Sequence, residues 1–422
     1  MVFALGLACA LAFAAFVPLV GASVSSLSPR PNSSGTVLSV NAGSDQSTVV
    51  NQLPPILVGP LSPNQGIYDP ANKLVYTTDS NSPYFTNIEG LTSINGSNWA
   101  NTFPACTGQY NGPEYAVYDP ANGDLYVSCI YPGNVAVVNP RTDAVVTTVT
   151  VGSSPGVLAY DPASQDVYVA NYGSNTVSVI SSVSNAVVAT ITSGQAPMWI
   201  TYSPANRDLY VTDTNYPYGI TVVNGVTNAL LTTISAEAGS TIYDPSNQDV
   251  YATVVAYVSG TQTPFAYAIN TSNQIAAKIQ LSGSNFPANE FGGSFVYDSS
   301  NGNIFVGTDP GTTGPNVVSE ISSSTNIVVA TVNIPAYCVN GGCYDISYLA
   351  FDSANQNIYV AGPGRFVYIV SSSDSLIQTI PLTIIQSSST NNFPTAEVFN
   401  PSNSEMYVLC DNYAYLIIPL SS

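Results

Sequence analysis

Apolar and polar residues alternate with a period of two in short segments along most of the chain, and Gly, Asn, Pro and Asp separate these segments. This pattern predicts β-strands joined by tight turns. In residues 160–171, an aromatic residue ends one strand, Asp161-Pro162 begins a turn, and residues 167–170 form the next strand. Pro presets φ for a turn, and the Asp side chain accepts hydrogen bonds from nearby backbone amides. The chain is therefore predicted to be all-β.

The strand-turn-strand unit occurs eight times. Its opening aromatic residues are Tyr68, Tyr118, Tyr160, Tyr202, Tyr243, Tyr297, Phe351 and Phe399. A second aromatic residue follows eight positions after each of them: Tyr76, Tyr126, Tyr168, Tyr210, Tyr251, Phe305, Tyr359 and Tyr407. The copies begin 41 to 54 residues apart, which is typical of propeller blades. We predict a β-propeller of four-stranded blades, eight in number, with seven as the alternative. The second aromatics are expected to pack between blades, and the repeated Asp residues to cap turns.

The last copy is one strand short, and a matching strand occurs near the start of the chain. Residues 47–50 align with residues 185–188 of a complete copy. We therefore predict that residues from about 36 to 67 join residues 399–422 in one composite blade, because closure removes exposed sheet edges. Residues 36–40 have no counterpart in this alignment. We expect them either to extend the composite blade or to pair with a neighbouring molecule.

The repeat resembles the YVTN family of β-propeller proteins, whose name is nearly spelled by residues 168–171 (YVAN) and 210–213 (YVTD). The resemblance covers residues 36–422 and weakens where Ser299 and Ser353 replace the turn proline. The family is similar to archaeal surface-layer and other secreted propeller proteins. The resemblance implies an extracellular location and this architecture, and brings no catalytic site.

Residues 1–22 are apolar and carry no charge. They fit a secretory signal peptide, although the usual positive start is missing. They are also long enough for a retained helical anchor, and they resemble the hydrophobic helix of an archaeal type IV pilin. Residues 23–35 are rich in Ser and Pro and form a predicted linker, so the propeller domain is residues 36–422.

The charge balance is strongly acidic. Lys and Arg total 6 and Asp and Glu total 25, for a net charge of −19. The chain lacks the basic surface that nucleic acid requires. At low pH the carboxylates are protonated and only the few basic side chains remain charged, so the positive charges repel one another little. This charge balance favours an acidic habitat. The alternative is an ordinary acidic surface protein rich in Ser, Thr and Asn.

The chain contains no histidine, which removes the usual general base and the commonest metal ligand. We predict no catalytic, cofactor-binding or metal site. The opposing hypothesis is a lyase or hydrolase that uses two carboxylates. Its candidates are the glutamates outside the repeat pattern: Glu89, Glu114, Glu237, Glu290, Glu320 and Glu397.

Six cysteines suit an oxidising compartment. Cys338 and Cys343 flank a short loop and form the predicted disulfide, whereas Cys106 has two candidate partners, Cys129 and Cys410. Three N-x-Ser/Thr sequences are glycosylation candidates: Asn32, Asn95 and Asn270.

These observations favour a non-enzymatic extracellular protein that self-assembles at the cell surface, either as a surface-layer component or as a filament subunit. Its expected partners are identical subunits, with the cell envelope or glycans as further candidates. Insertions around residues 80–112, 254–266, 283–294 and 309–345 are expected to supply contacts. The alternative is a secreted adhesion or ligand-binding propeller.

Overall fold

The computed structural model describes most of the repeat region. The described residues are 62–80, 90–95, 99–106, 112–283, 286, 295–309, 315–339, 342–362, 364, 366–382, 394–410 and 415–419. Their regular secondary structure is entirely β-strand, and none of them forms a helix of the length and hydropathy that crossing a membrane requires. The predicted N-terminal segment (1–22), the linker (23–35) and the proposed closing strand lie outside the described residues.

The strands form antiparallel sheets in chain order, one for each repeat copy. Blades 1 to 4 contain four strands each: β1 Ser62–Asp69, β2 Leu74–Ser80, β3 Gly90–Asn95, β4 Trp99–Phe103; β5 Pro113–Asp119, β6 Asp124–Cys129, β7 Asn134–Asn139, β8 Ala144–Thr150; β9 Pro155–Asp161, β10 Asp166–Asn171, β11 Thr176–Ser181, β12 Ala186–Thr192; β13 Pro197–Ser203, β14 Asp208–Asp213, β15 Gly219–Asn224, β16 Ala229–Ile234.

Blades 5 to 7 are also four-stranded, whereas blade 8 shows three strands among the described residues. A two-stranded hairpin, β25–β26, lies between blades 6 and 7. The strands are β17 Ala238–Tyr243, β18 Val250–Val258, β19 Thr261–Ile269, β20 Ile275–Gln280; β21 Phe295–Asp298, β22 Asn303–Thr308, β23 Asn316–Ser322, β24 Ile327–Ile334; β25 Tyr337–Val339, β26 Gly342–Tyr344; β27 Tyr348–Asp352, β28 Asn357–Ala361, β29 Phe366–Val370, β30 Leu376–Pro381; β31 Pro394–Asn400, β32 Glu405–Cys410, β33 Tyr415–Pro419.

The first strand of each blade contacts the first strand of the next, and β31 of blade 8 contacts β1 of blade 1. The last and first blades pack so closely that a Cβ on Gly66 would lie 2.5 Å from Val398 Cγ1. The Asn400 side-chain amide donates to the carbonyl of Lys73 at 3.3 Å. These contacts close the ring, and the predicted β-propeller of four-stranded blades is confirmed.

One boundary of the predicted composite blade is wrong. Residues 62–67 belong to β1, which pairs with β2 inside blade 1. The reason is that the opening aromatic ends the innermost strand of its own blade, so the residues immediately before Tyr68 have their partner in β2. A closing strand contributed by residues 36–61 stays a prediction, because these residues lie outside the described part of the chain.

The second aromatic residue of each copy is fully buried, as predicted. In blades 1 to 5 the structure adds a role for the tyrosine hydroxyl, which donates to the turn between the third and fourth strands of the following blade. Tyr168 donates to Asn228 at 2.8 Å and to the Gly225 carbonyl at 3.0 Å, and Tyr126 donates to Asn185 at 2.6 Å. We call this contact the tyrosine latch. Because a hydroxyl spans each of these blade interfaces, the repeat prefers Tyr to Phe.

Removing one hydroxyl is expected to weaken the fold measurably. Tyr168→Phe leaves the Asn228 side chain and a buried carbonyl without their partner, so the free energy of unfolding should fall by about 1–3 kcal/mol. Urea unfolding at a fixed pH measures this change. Tyr172→Phe is the control, because Tyr172 is exposed and its substitution should leave the unfolding midpoint unchanged. Equal effects of the two substitutions would contradict the latch.

The repeated turn Asp residues are buried caps, as predicted. In each, Oδ1 accepts from the amide two residues later at 2.7–2.8 Å: Asp69, Asp119, Asp161, Asp244, Asp298 and Asp352. These bonds satisfy an amide in a tight turn, so the carboxylates serve the fold. Their repetition in six blades has a structural cause.

The two faces of the ring differ in their connections. Turns between first and second strands and between third and fourth strands are short and lie on one face, the turn face. Connections between second and third strands, and from one blade to the next, lie on the opposite face, which we call the loop face. Within the predicted insertion regions, the extended β18–β19 hairpin and strands β25 and β26 lie on the loop face, and most of the other inserted residues lie outside the described residues.

Candidate functional site

Two of the candidate glutamates lie on innermost strands, Glu114 in β5 and Glu397 in β31. Beside Glu114, the ring of Tyr115 packs edge-on against Trp199 of β13, with centroids 6.3 Å apart. Blade 3 separates the blades that carry these two rings, so they meet on the inner side of the ring. Tyr348 of β27 lies near both Tyr115 and Glu397. Burial raises the pKa of both tyrosines, and the charge of Tyr348 adds to the effect on Tyr115 as that of Glu397 adds to the effect on Tyr348.

Burial dominates the electrostatics of this inner cluster. It raises the pKa of Glu114 to about 7. Glu397 is only 3% exposed, and burial raises its pKa well above the ordinary range, with the Ala361 amide offsetting part of the effect. Neither carboxyl oxygen of Glu397 makes a well-aligned hydrogen bond to another described residue. A buried carboxylate is costly, so burial favours the neutral acid form of Glu397.

The carboxylate-pair hypothesis gains no support from the described residues. Glu237 is exposed in the connection before β17, and Glu320 lies in β23, the third strand of blade 6, so neither lies on an innermost strand with Glu114 and Glu397. Glu89 and Glu290 lie outside the described residues. Within the described part of the chain, no three His, Cys, Asp or Glu side chains form a group able to hold a metal ion.

Glu320 has a structural partner that the sequence did not reveal. In blade 6 the second aromatic is Phe305, which has no hydroxyl, and Glu320 is its cross-strand neighbour. The Glu320 carboxyl accepts from Asn301 and Asn303 at 2.9 and 2.7 Å. It also lies against Asp374 of blade 7, at the turn position that Asn228 occupies in blade 4. A pair of carboxyls thus replaces the tyrosine latch at this blade interface.

The outer strands form a second candidate surface. Strands β8, β12, β16, β24 and β30 contain no charged residue, and β12 contacts both β8 and β16. About half of the surface of several aliphatic side chains is exposed along them: Val146 54%, Val188 55%, Leu231 47%, Val329 50% and Ile377 46%. We call these five strands the outer rim. They are sheet edges without the charges that natural proteins place there to prevent pairing.

Exposed tyrosines mark the loop face. Tyr131, Tyr172 and Tyr216 lie in the connections between second and third strands of blades 2 to 4, and Tyr257 lies near the end of β18, the second strand of blade 5. They expose 59%, 43%, 83% and 66% of their surface. Sequence reasoning missed them because they do not share one position in the repeat pattern. Only the common face of four consecutive blades brings them together.

The cysteines divide between the loop face and regions outside the described residues. Cys106 is bonded to Cys129, with Cα atoms 5.7 Å apart, which decides between its two predicted partners. Cys338 is disulfide-bonded, and Cys343 is its backbone partner in the β25–β26 hairpin. Cys410 ends β32.

Of the three glycosylation candidates, Asn32 lies outside the described residues. Asn95 ends β3, and Asn270 lies in the turn between β19 and β20. Both turns belong to the turn face. The side chain of Asn270 accepts hydrogen bonds from the amides of Ser272 and Gln274 at 3.0 and 3.1 Å. Modification at these two positions stays a prediction.

Comparisons with known proteins identify the fold. No family model and no curated protein matches the chain. Solved structures do match. The Dos1 propeller has a TM-score of 0.64 at 10% identity, covering 87% of this chain and 95% of that chain. The C-terminal WD40 domain of Sif2 has a TM-score of 0.60 at 8% identity, covering 87% and 99%.

An enzyme is also among the similar structures. Hydrazine synthase from Kuenenia stuttgartiensis has a TM-score of 0.51 at 18% identity, covering 70% of this chain and 92% of that chain. Identities this low carry the architecture and no function. What the comparisons establish is that this chain is a β-propeller.

Proposed function

We propose that the protein is a non-enzymatic structural component of an extracellular surface, a surface-layer or filament subunit that self-associates through its outer rim. The observation that carries the proposal is the charge-free, aliphatic outer strand in five of the blades. An exposed β-edge of this kind invites pairing with another strand. A protein that leaves so many such edges open is best explained if they are covered in its working state.

The occupant that best fits the outer rim is a second copy of the same chain. Antiparallel edge pairing is self-complementary, so one surface can serve both partners in a symmetric contact. The aliphatic side chains supply apolar area, and Thr147, Thr190 and Thr232 lie among them in the outer strands. Because these strands carry no charge, they offer nothing to a partner that is recognised by charge. Repetition of the rim around the ring also permits contacts in several directions, as a layer or a filament needs.

Two further observations support the extracellular location. The Cys106–Cys129 disulfide is stable in an oxidising compartment. The repeat motif resembles the YVTN family, and we infer that the chain is a divergent member of it.

The experiment is sedimentation velocity of the full chain over a range of concentrations. A triple variant, Val146→Lys with Val188→Lys and Leu231→Lys, places one charge on each outer strand of blades 2, 3 and 4. We expect concentration-dependent association of the unmodified chain and at least about tenfold weaker association of the variant, since each interface then buries unpaired charges.

The matched control carries lysine at Val183 and Val226. These valines are 77% and 59% exposed but lie in turns of the turn face, so their substitution should leave association unchanged. If the unmodified chain stays monomeric, or if the rim variant associates as strongly as the control, the outer rim is not the interface and the proposal fails.

A further inference from the structure

The exposed tyrosines of blades 2 to 5 stand on a rigid support. The amide of Tyr172 donates to the Ser154 carbonyl at 2.9 Å, and the amide of Thr214 donates to the Ala196 carbonyl at 3.1 Å. Each of these bonds ties a connection inside a blade to the segment that enters the same blade. The loops are therefore pre-organised, which lowers the entropy that a binding partner must overcome.

The last residue of the YVTN-like motif contributes to this support. Asp213 is buried and accepts from the hydroxyls of Ser193 and Thr221 at 2.9 and 2.6 Å. In blade 3 the corresponding Asn171 donates to Ser178 at 2.9 Å. These side chains fix the ends of the second strands from which Tyr172 and Tyr216 project. A rigid, exposed aromatic ring is a good contact for a ligand because few rotamers are lost on binding.

The charge on this face restricts the partner. The described cations lie elsewhere: Lys73, Arg141 and Arg207 are in turns of the turn face, and Lys278 is on the outer strand β20. The described loop face of blades 2 to 5 thus carries no positive charge. Nucleic acid, anionic lipid and acidic polysaccharide all need such charges, so these ligands do not fit.

A protein and a neutral carbohydrate remain as candidate partners, and the positions of the four tyrosine rings distinguish between them. A protein interface has a contiguous apolar core, whereas here each ring belongs to a different blade and lies among exposed polar residues such as Ser174 and Asn215. Separate rings among hydroxyl and amide groups suit a ligand with alternating apolar and polar surface. Sugar rings have this character, since their C–H faces pack on aromatic rings and their hydroxyls exchange hydrogen bonds.

We propose that the loop face of blades 2 to 5 binds a neutral polysaccharide, with Tyr131, Tyr172, Tyr216 and Tyr257 as its stacking contacts. Several weak contacts along one polymer add through effective concentration, so a long chain binds much more tightly than a single sugar. This activity is separate from the proposed self-association, because it uses a different face of the ring.

The test measures retention of the full chain in native gels that contain a neutral mannan, a neutral glucan or a neutral galactan, with alginate as the acidic counter-probe. We expect retention by at least one neutral polymer and none by alginate. Single Tyr→Ala substitutions at positions 172 and 216 should each weaken binding about threefold to tenfold. Substitution of all four tyrosines should abolish retention.

Val183→Ala with Val226→Ala is the matched control, since both side chains are exposed on the turn face. This control variant should retain full binding to the polysaccharide. The triple-lysine variant of the outer rim should also retain it. A loss of self-association in that variant would concern the proposed function and not the polysaccharide site. Binding to none of the neutral polymers would overturn the proposal, as would equal binding to alginate. It would also be overturned if the four-tyrosine variant lost self-association, because the loop face would then be a contact between subunits.

Discussion

The protein is expected to unfold at a lower temperature as the pH rises from about 4 to about 8. Burial raises the pKa of Glu114 from 4.5 to about 7 and that of Glu397 well above its ordinary value. Each carboxyl binds its proton more tightly in the folded state, so its stabilising contribution is complete below the unfolded pKa. That contribution is lost as the pH rises through the folded pKa. For Glu114 the loss is roughly 3 kcal/mol.

Scanning calorimetry at about pH 4, 6 and 8 measures this dependence. Glu397→Gln keeps a neutral side chain of similar shape at every pH, so the variant should match the unmodified protein at pH 4 and unfold at a higher temperature at pH 8. Glu237→Gln is the control because Glu237 is exposed, and its midpoints should follow the unmodified protein. A midpoint that stays constant or rises between pH 4 and 8 would show that the buried acids do not govern stability.

Asp374→Asn is expected to stabilise the protein near neutral pH and to change little in acid. Burial raises the pKa of both Glu320 and Asp374, and in each the neighbouring Asp298 adds to the effect. Below the unfolded pKa values both carboxyls are protonated and can share a hydrogen bond. As the pH rises through the folded values the protons are lost, two negative charges face each other, and stability decreases. An Asn amide would instead donate to the Glu320 carboxylate, which is worth about 1.5–3 kcal/mol.

The matched control is Asp143→Asn. Asp143 occupies the corresponding turn position of blade 2, where it lies near the Tyr76 hydroxyl. Urea unfolding at about pH 3 and pH 7 should show a gain for Asp374→Asn at pH 7 only, and a smaller gain at pH 7 for Asp143→Asn, which faces a phenol instead of a carboxyl. A gain of the same size at both pH values would indicate that packing, and not the paired carboxyls, distinguishes Asp374.

The repeat made the fold predictable from the sequence. Tyr160, Asp161 and Tyr168 recur in near-identical context, so strand order, turn position and buried aromatics could be read from one copy and transferred to the others. The tyrosine latch could not be read in this way, because its acceptor lies one blade, about 60 residues, further along the chain. Periodicity reveals which residues are equivalent, and it does not reveal which of them touch.

The candidate surfaces were harder to predict for a related reason. Glu114 and Glu397 were recognised as exceptions to the repeat, but their shared burial depends on ring closure. Tyr131 and Tyr216 both precede a proline, but their connections differ in length, so the two tyrosines fall at different positions of the repeat pattern. Glu320 was singled out as a candidate acid, and only its register opposite Phe305 shows that it replaces a missing hydroxyl.

The direction of the tyrosine latch bears on how the chain folds during synthesis. In blades 1 to 5 the donor always belongs to the earlier blade and the acceptor to the later one. The tyrosine hydroxyl of a newly made blade therefore finds its acceptor only after the next blade has left the ribosome. Blade 1 can contact blade 8 only when residues near 400 have emerged. Stalled or truncated chains would consequently present an unsatisfied phenol and an open edge, two features by which quality-control proteases could distinguish them from the finished molecule.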